Sequence, residues 1–333
     1  MHRREDDDVI HTTVRNVGAT GKATCVRPRR TVTRGICSAF VLAMLTGVGQ
    51  AVVFAAPGVV CRALGRSAQA GDTGPGAAQQ SAQEAATWYN LGIAHLTGAR
   101  YGQAVDALRE AVRLNPDFAD AWHALGVAYV NLRRDAQAVD ALREAVRLKP
   151  EEAAVWYNLG IAYRNLGRYT DAVHANREAV RLNPNNPDAW HNLGFAHAAL
   201  GHHPEAVDAY GRAVRLNPNN PDAWHNLGFA QAALGRYPEA IDAYREVVRV
   251  APDRAVAWYS LAVNYTALNR YAEAVDPLRE AARLKPDYAD AWYLLGLAYA
   301  GSGDRLTALE CVQTLRSLDP ARADALFNVV GPR

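Results

Sequence analysis

Every tryptophan in this 333-residue chain stands on one ladder: Trp88, Trp122, Trp156, Trp190, Trp224, Trp258 and Trp292 follow one another at intervals of 34 residues. Three further ladders keep step with it. Gly92, Gly126, Gly160, Gly194, Gly228 and Gly296, with Ala262 in the sixth place, stand four residues after each tryptophan. Alanines recur at the same interval from Ala104 to Ala308, and prolines from Pro116 to Pro320. Self-similarity at a fixed period of this size marks repeat units that stack. The chain therefore reads as seven repeats over residues 85–322, starting near 85, 119, 153, 187, 221, 255 and 289.

Each ladder has a packing reason. Within one unit the apolar residues recur at helical spacing in two blocks, Trp88 and Leu91 in the first, Ala104, Leu108, Ala111 and Leu114 in the second. Glycine and alanine belong where two helices approach closely, because a larger side chain would push the axes apart. Proline ends the unit, since it lacks the N–H and clashes with the preceding turn. In Asn186-Pro187-Asp188 and Asn220-Pro221-Asp222 the next helix starts with an Asn cap, Pro at the first position and an acid facing the dipole. One helix pair is too small to bury its own apolar face, so neighbours must stack. Residues 320–333 read as a C-terminal capping helix over the last apolar face.

The pattern W-x2-L-G-x2-Y…A…P resembles the tetratricopeptide repeat (TPR) family over all seven units. The resemblance implies an all-α, right-handed α-solenoid of helix–turn–helix units, whose first helices line a concave groove for peptides or partner proteins. Three positions depart from the pattern: Ala262 replaces the glycine, Asn176 stands where other units carry Leu or Tyr, and Pro277 interrupts the second helix of the sixth unit. Proline inside a helix costs about 3 kcal/mol, so a kink is expected there.

In the family the residues just after the tryptophan face the groove; here they are Tyr89-Asn90, His123-Ala124, Tyr157-Asn158, His191-Asn192, His225-Asn226, Tyr259-Ser260 and Tyr293-Leu294. The series Asn90, Asn158, Asn192 and Asn226 is similar to the asparagine ladder in the TPR superhelix of O-GlcNAc transferase, where such amides hold the backbone of an extended peptide. A primary amide both donates and accepts, so it pairs with a peptide group without reading side chains. Tyrosine and histidine beside it add flat contact area at low entropy cost. The candidate peptide-binding residues are thus the four asparagines with Tyr89, Tyr157, His191, His225, Tyr259 and Tyr293. The alternative is that these asparagines are merely solvated. The carboxylate clamp of chaperone-binding TPR proteins is absent, because Ile93, Val127, Ile161, Phe195, Phe229, Val263 and Leu297 fill the place of its asparagine. The groove reads as neutral to mildly acidic, aromatic and partly apolar.

Other chemistry finds little support. A net charge of +2 offers no case for nucleic acid, which needs basic residues gathered on one face. Arginine dominates the basic residues, with only Lys22, Lys149 and Lys285 besides, and most of these arginines recur at fixed points of the repeat. Together with the alanine content this reads as the coding bias of a GC-rich genome. Asp106-x2-Arg109-Glu110-x2-Arg113 and its equivalents are expected to form i,i+3 ion pairs on a wet outer face. The four cysteines, Cys25, Cys37, Cys61 and Cys311, form no metal or disulfide framework. His191 and His225 lie one repeat apart, too far for shared ligation, and His197 falls where sister units carry Tyr, which points to packing. No nucleophile–base pair, phosphate loop or paired carboxylates appear, so neither a cofactor, a metal nor a small-molecule substrate is expected.

Before the repeats, residues 1–34 are basic and read as a disordered cytoplasmic arm. Residues 35–61 carry no charge and are long enough to cross a bilayer, which takes roughly 20 apolar residues. Arg27, Arg29, Arg30 and Arg34 precede the run, against Arg62 and Arg66 after it, so the repeats are expected outside the cytoplasm. The run is either a single-span anchor or the core of a signal peptide cut after Ala68-Gln69-Ala70. A translation start at Val26 would favour the second by shortening the basic arm. Residues 62–84, small and polar, read as a flexible linker. The expectation is a non-catalytic interaction scaffold, membrane-tethered or exported. The alternative is an accessory subunit of an envelope-assembly, secretion or glycosyltransferase complex.

Overall fold

A computed structural model describes residues 75–331, and among them are fifteen α-helices and no strand. These residues fall into two compact units, 75–166 and 167–331. The first holds α1 (Pro75–Thr97), α2 (Tyr101–Leu114), α3 (Ala119–Asn131), α4 (Asp135–Leu148) and α5 (Ala153–Asn165). The second holds α6 (Tyr169–Leu182), α7 (Pro187–Ala199), α8 (His203–Leu216), α9 (Pro221–Ala233), α10 (Tyr237–Val250), α11 (Ala255–Ala267), α12 (Tyr271–Leu284), α13 (Ala289–Gly301), α14 (Arg305–Leu318) and α15 (Pro320–Val330). Within each unit a first helix packs on the second helix of its own repeat, and that second helix packs on the next first helix, as in a solenoid.

The ladders become specific contacts. Ala104, Ala138, Ala206, Ala240, Ala274 and Ala308 are fully buried. Gly92, Gly126, Gly194 and Gly228 are each a seat for a large side chain sixteen residues on. A Cβ at Gly92 would lie 2.5 Å from Leu108 Cγ, at Gly126 2.4 Å from Leu142 Cγ, and at Gly194 and Gly228 2.8 and 2.9 Å from the rings of Tyr210 and Tyr244. At Gly296 the capping helix fills the seat with Leu326 instead. The tryptophan and proline ladders prove to be one device. The indole N–H of Trp122, Trp190, Trp224, Trp258 and Trp292 donates to the carbonyl of the proline six residues earlier at 2.8–2.9 Å, and Trp156 does so at 2.7 Å. Each bond pins an inter-repeat loop to the helix it introduces. A further ladder marks the turn inside each repeat: Ala99, Arg133, Gly167, Gly201, Gly235, Asn269 and Gly303 all have positive φ. Four of the seven are glycine, the residue that adopts this conformation without strain.

The asparagine caps form as expected: Asn186 Oδ1 accepts from the N–H of Asp188 and Ala189, and Asn220 Oδ1 from those of Asp222 and Ala223. Helix α15 buries Ala323, Leu326 and Val330 against its neighbours and is capped by Asp319. One expectation needs correction. Residues 75–84, read as part of a flexible linker, belong to α1. Their alanine, glutamine and glutamate favour helix once the repeat downstream has nucleated it, and Ser81 Oγ donates to the Leu114 carbonyl at 2.9 Å. Pro277, where a kink is expected, lies buried inside α12, which keeps its fourteen residues. Among the described residues no helix is long and apolar enough to cross a membrane; residues 35–61 lie outside them.

Candidate functional site

The candidate residues all sit on first helices. In the first unit Tyr89 and Asn90 lie on α1 and Tyr157 and Asn158 on α5, with His123 of α3 between them in register. In the second unit His191 and Asn192 lie on α7, His225 and Asn226 on α9, Tyr259 on α11 and Tyr293 on α13. The four asparagines are not equivalent. Asn90 is exposed, Asn158 and Asn226 are partly buried, and Asn192 is only 4% exposed. Asn158 Nδ2 donates to His123 Nε2 at 2.8 Å and to the Ala154 carbonyl at 3.0 Å. Asn226 Nδ2 stands 2.9 Å from His191 Nε2. Each rung thus joins the histidine of one repeat to the asparagine of the next, 35 residues on. Both N–H groups of Asn158 are used, which leaves Oδ1 as an acceptor; Asn226 keeps one N–H and its Oδ1.

Accepting from an amide N–H requires a neutral imidazole. Burial pushes His123 down to about 4, against a smaller upward pull from Asp120, so it is neutral near pH 7. Aromatic contacts hold the column from beneath. His191 packs at a tilt on Tyr210 and His225 edge-on against Tyr244, with ring centroids 5.5 and 5.4 Å apart. Tyr89 packs on Phe118 at 4.9 Å, and Tyr259 on Tyr288 at 5.0 Å. Tyr259 is buried, with 2% of its surface exposed, so it supports this face from within. Desolvation raises the phenols of Tyr89, to about 12, and of Tyr259. Neither ionises near neutral pH.

In the first turns of α3, α9 and α13 an aspartate is tied to a cation that follows the next second helix. Asp120 pairs with Lys149 at 2.6 Å, and Asp222 with Arg254 and Asp290 with Arg322 at 2.5 Å each. The outer faces carry the expected i,i+3 pairs, among them Glu110–Arg113 at 2.8 Å and Glu280–Arg283 at 2.6 Å, all solvent-exposed. His197 is buried in the Tyr position, as its place in the repeat suggested. Among the described residues no three His, Cys, Asp or Glu side chains gather into a group that could hold a metal ion. The partnership of His123 was missed from the sequence. Its signal was there in the 35-residue offset between His123 and Asn158 and between His191 and Asn226.

Paired helices of constant length, a glycine seat in each pair and an indole clasp at each junction define a helical-repeat protein of the kind that presents a ladder face. The tetratricopeptide repeat profile matches residues 89–153, 123–187, 157–221 and 191–255 in overlapping two-repeat windows, and a second TPR profile matches 264–303. The chain belongs to the tetratricopeptide repeat family. Among solved structures it is similar to YrrB, described as a TPR protein with an unusual peptide-binding site. That match has 24% identity and a TM-score of 0.52 over 56% of this chain and 96% of YrrB. It is also similar to PilF of Pseudomonas aeruginosa, with 22% identity and a TM-score of 0.52 over 62% of this chain and 94% of that one. A TPR repeat-containing protein of Cytophaga hutchinsonii matches over 72% of this chain and 98% of its own, with 15% identity and a TM-score of 0.62. No curated protein matches significantly.

Proposed function

We propose that the chain is a non-catalytic scaffold that docks an extended segment of a partner protein along the faces of its first helices. The observation that carries this reading is the histidine–asparagine rung. It fixes the amide of one repeat against the next while leaving acceptor and donor capacity on Asn158 and Asn226 for a peptide backbone. A scaffold of this kind assembles or positions other proteins. Its partners are proteins or peptides, not nucleic acid or small molecules. The uncharged run 35–61 and its arginine flank support tethering to a membrane, or export, with the repeats outside the cytoplasm.

Photo-crosslinking from a probe at Asn90 or Asn226 in cells, read by mass spectrometry, tests the docking. A discrete partner peptide is expected, and its capture should be lost when Asn90, Asn158 and Asn226 are all changed to alanine. Unchanged capture by the triple variant would sink the reading. Fractionating cells that express the chain with and without residues 1–70 tests the tether: the full chain should sediment with membranes or be exported, and the shortened one should do neither.

A further inference from the structure

One carboxylate on the ladder face breaks the pattern of its neighbours. Asp120, Asp222 and Asp290 occupy the same repeat position and each holds a cation. Asp188 occupies that position on α7, and among the described residues its carboxylate has no ion pair or hydrogen-bond partner. The reason lies one loop on. Arg254 and Arg322, which serve Asp222 and Asp290, stand 34 and 102 residues after Asn220. Where Arg254 reaches back to Asp222, Asn220 turns forward and caps its own helix, accepting from Asp222 and Ala223. Asp188 is left half-buried with only the helix dipole to face it, and desolvation raises its carboxyl above the ordinary value.

Helices α7, α9, α11 and α13 contain three aspartates and no lysine or arginine. Two turns along α7 from Asp188, Phe195 leaves 36% of its surface exposed, with Phe229 partly exposed at the same place on α9. A rise of about 1.5 Å per residue puts Phe195 about 10 Å from Asp188. An extended peptide covers that distance in about three residues.

Resting on the docking reading above, we propose that the ladder face of residues 167–331 selects an extended peptide in which an arginine or lysine lies about three residues from an aromatic or aliphatic side chain. The basic group pairs with Asp188 and the apolar one packs on Phe195 and Phe229. The pairing supplies the cation that Arg254 supplies to Asp222, and a partly desolvated carboxylate gains more from it than an exposed one does.

The test is selection of a random twelve-residue peptide library on the immobilised full chain, with Asp188→Asn and Phe195→Ala variants in parallel. Enriched peptides are expected to carry the basic–apolar pair, and one of them should bind Asp188→Asn about tenfold more weakly while its citrulline-for-arginine version binds both proteins alike. Circular dichroism of the variant guards against unfolding. Enrichment with no basic preference, lost in the Asn90/Asn158/Asn226 triple alanine variant, would overturn this proposal and leave the docking reading standing. A basic preference that survives Asp188→Asn would also overturn it. No enrichment of any peptide would overturn both.

Discussion

The two units build the same ladder face on different supports. In residues 75–166 the glycine seats are filled by Leu108 and Leu142, compact side chains that end inside the core. In residues 167–331 Tyr210 and Tyr244 fill those at Gly194 and Gly228, with Leu326 at Gly296, and the two rings continue outward to His191 and His225. The charges differ as well: α5 carries Arg164, whereas α7, α9, α11 and α13 hold histidine but no lysine or arginine. One packing rule, a residue without a side chain facing a large one, is obeyed in both. It leaves the identity of the large residue open, and that choice decides what stiffens the face above it.

The comparison breaks most easily at the seats. A Cβ at Gly126 would lie 2.4 Å from the branch carbon of Leu142, whereas one at Gly228 would lie 2.9 Å from a ring edge of Tyr244. Overpacking of this kind costs about 1–3 kcal/mol, against about 1 kcal/mol that alanine gains over glycine in a helix. Gly126→Ala is therefore expected to lose roughly 2 kcal/mol and Gly228→Ala to stay within about 1 kcal/mol of the native protein, as net figures on that scale. Urea unfolding would measure both, and equal losses would mean that leucine and tyrosine seats do not differ.

Asn176, fully buried on α6, stands at the repeat position of Leu142 and Tyr210; its Nδ2 donates to the Ala172 carbonyl at 2.8 Å and, among the described residues, its Oδ1 has no partner. A buried acceptor left unbonded costs about 1–3 kcal/mol. Asn176→Leu should therefore raise stability by about 1–2 kcal/mol by the same measure. A loss would show that the native seat is shaped for the amide.

A further effect concerns pH. The folded protein takes up a proton on His123 only near pH 4, whereas the unfolded chain does so near 6.5. Between these values the unfolded state holds the extra proton, so stability falls as the pH drops through that window and is retained above it. The melting temperature should decline from pH 7 to pH 5, and His123→Gln, which keeps an amide to face Asn158, should decline less. Parallel curves would remove the rung of the first unit from the account.

The periodicity of tryptophan, glycine, alanine and proline was enough to read repeat number, helix order and register, because each ladder answers a steric demand that recurs with the backbone. Caps at Asn186 and Asn220 were equally legible, since a cap bonds within a few residues of itself. Partnerships across repeats were not. The amino-acid order places tryptophan and proline in step without telling that the indole N–H closes on the proline carbonyl. It lines up four asparagines without telling that Asn90 is exposed while Asn192 is buried.

Everything local and periodic was therefore set by the order of residues: seven helix pairs, their glycine positions and the helices on which the candidate residues stand. Tertiary structure alone decided which of those residues hold one another and which are left unpaired. Asp188 and Asp222 share one motif, Asn-Pro-Asp-Ala-Trp-His-Asn, and only the side chain that reaches back from the following loop separates them, asparagine turning to its own helix and arginine to its neighbour's carboxylate.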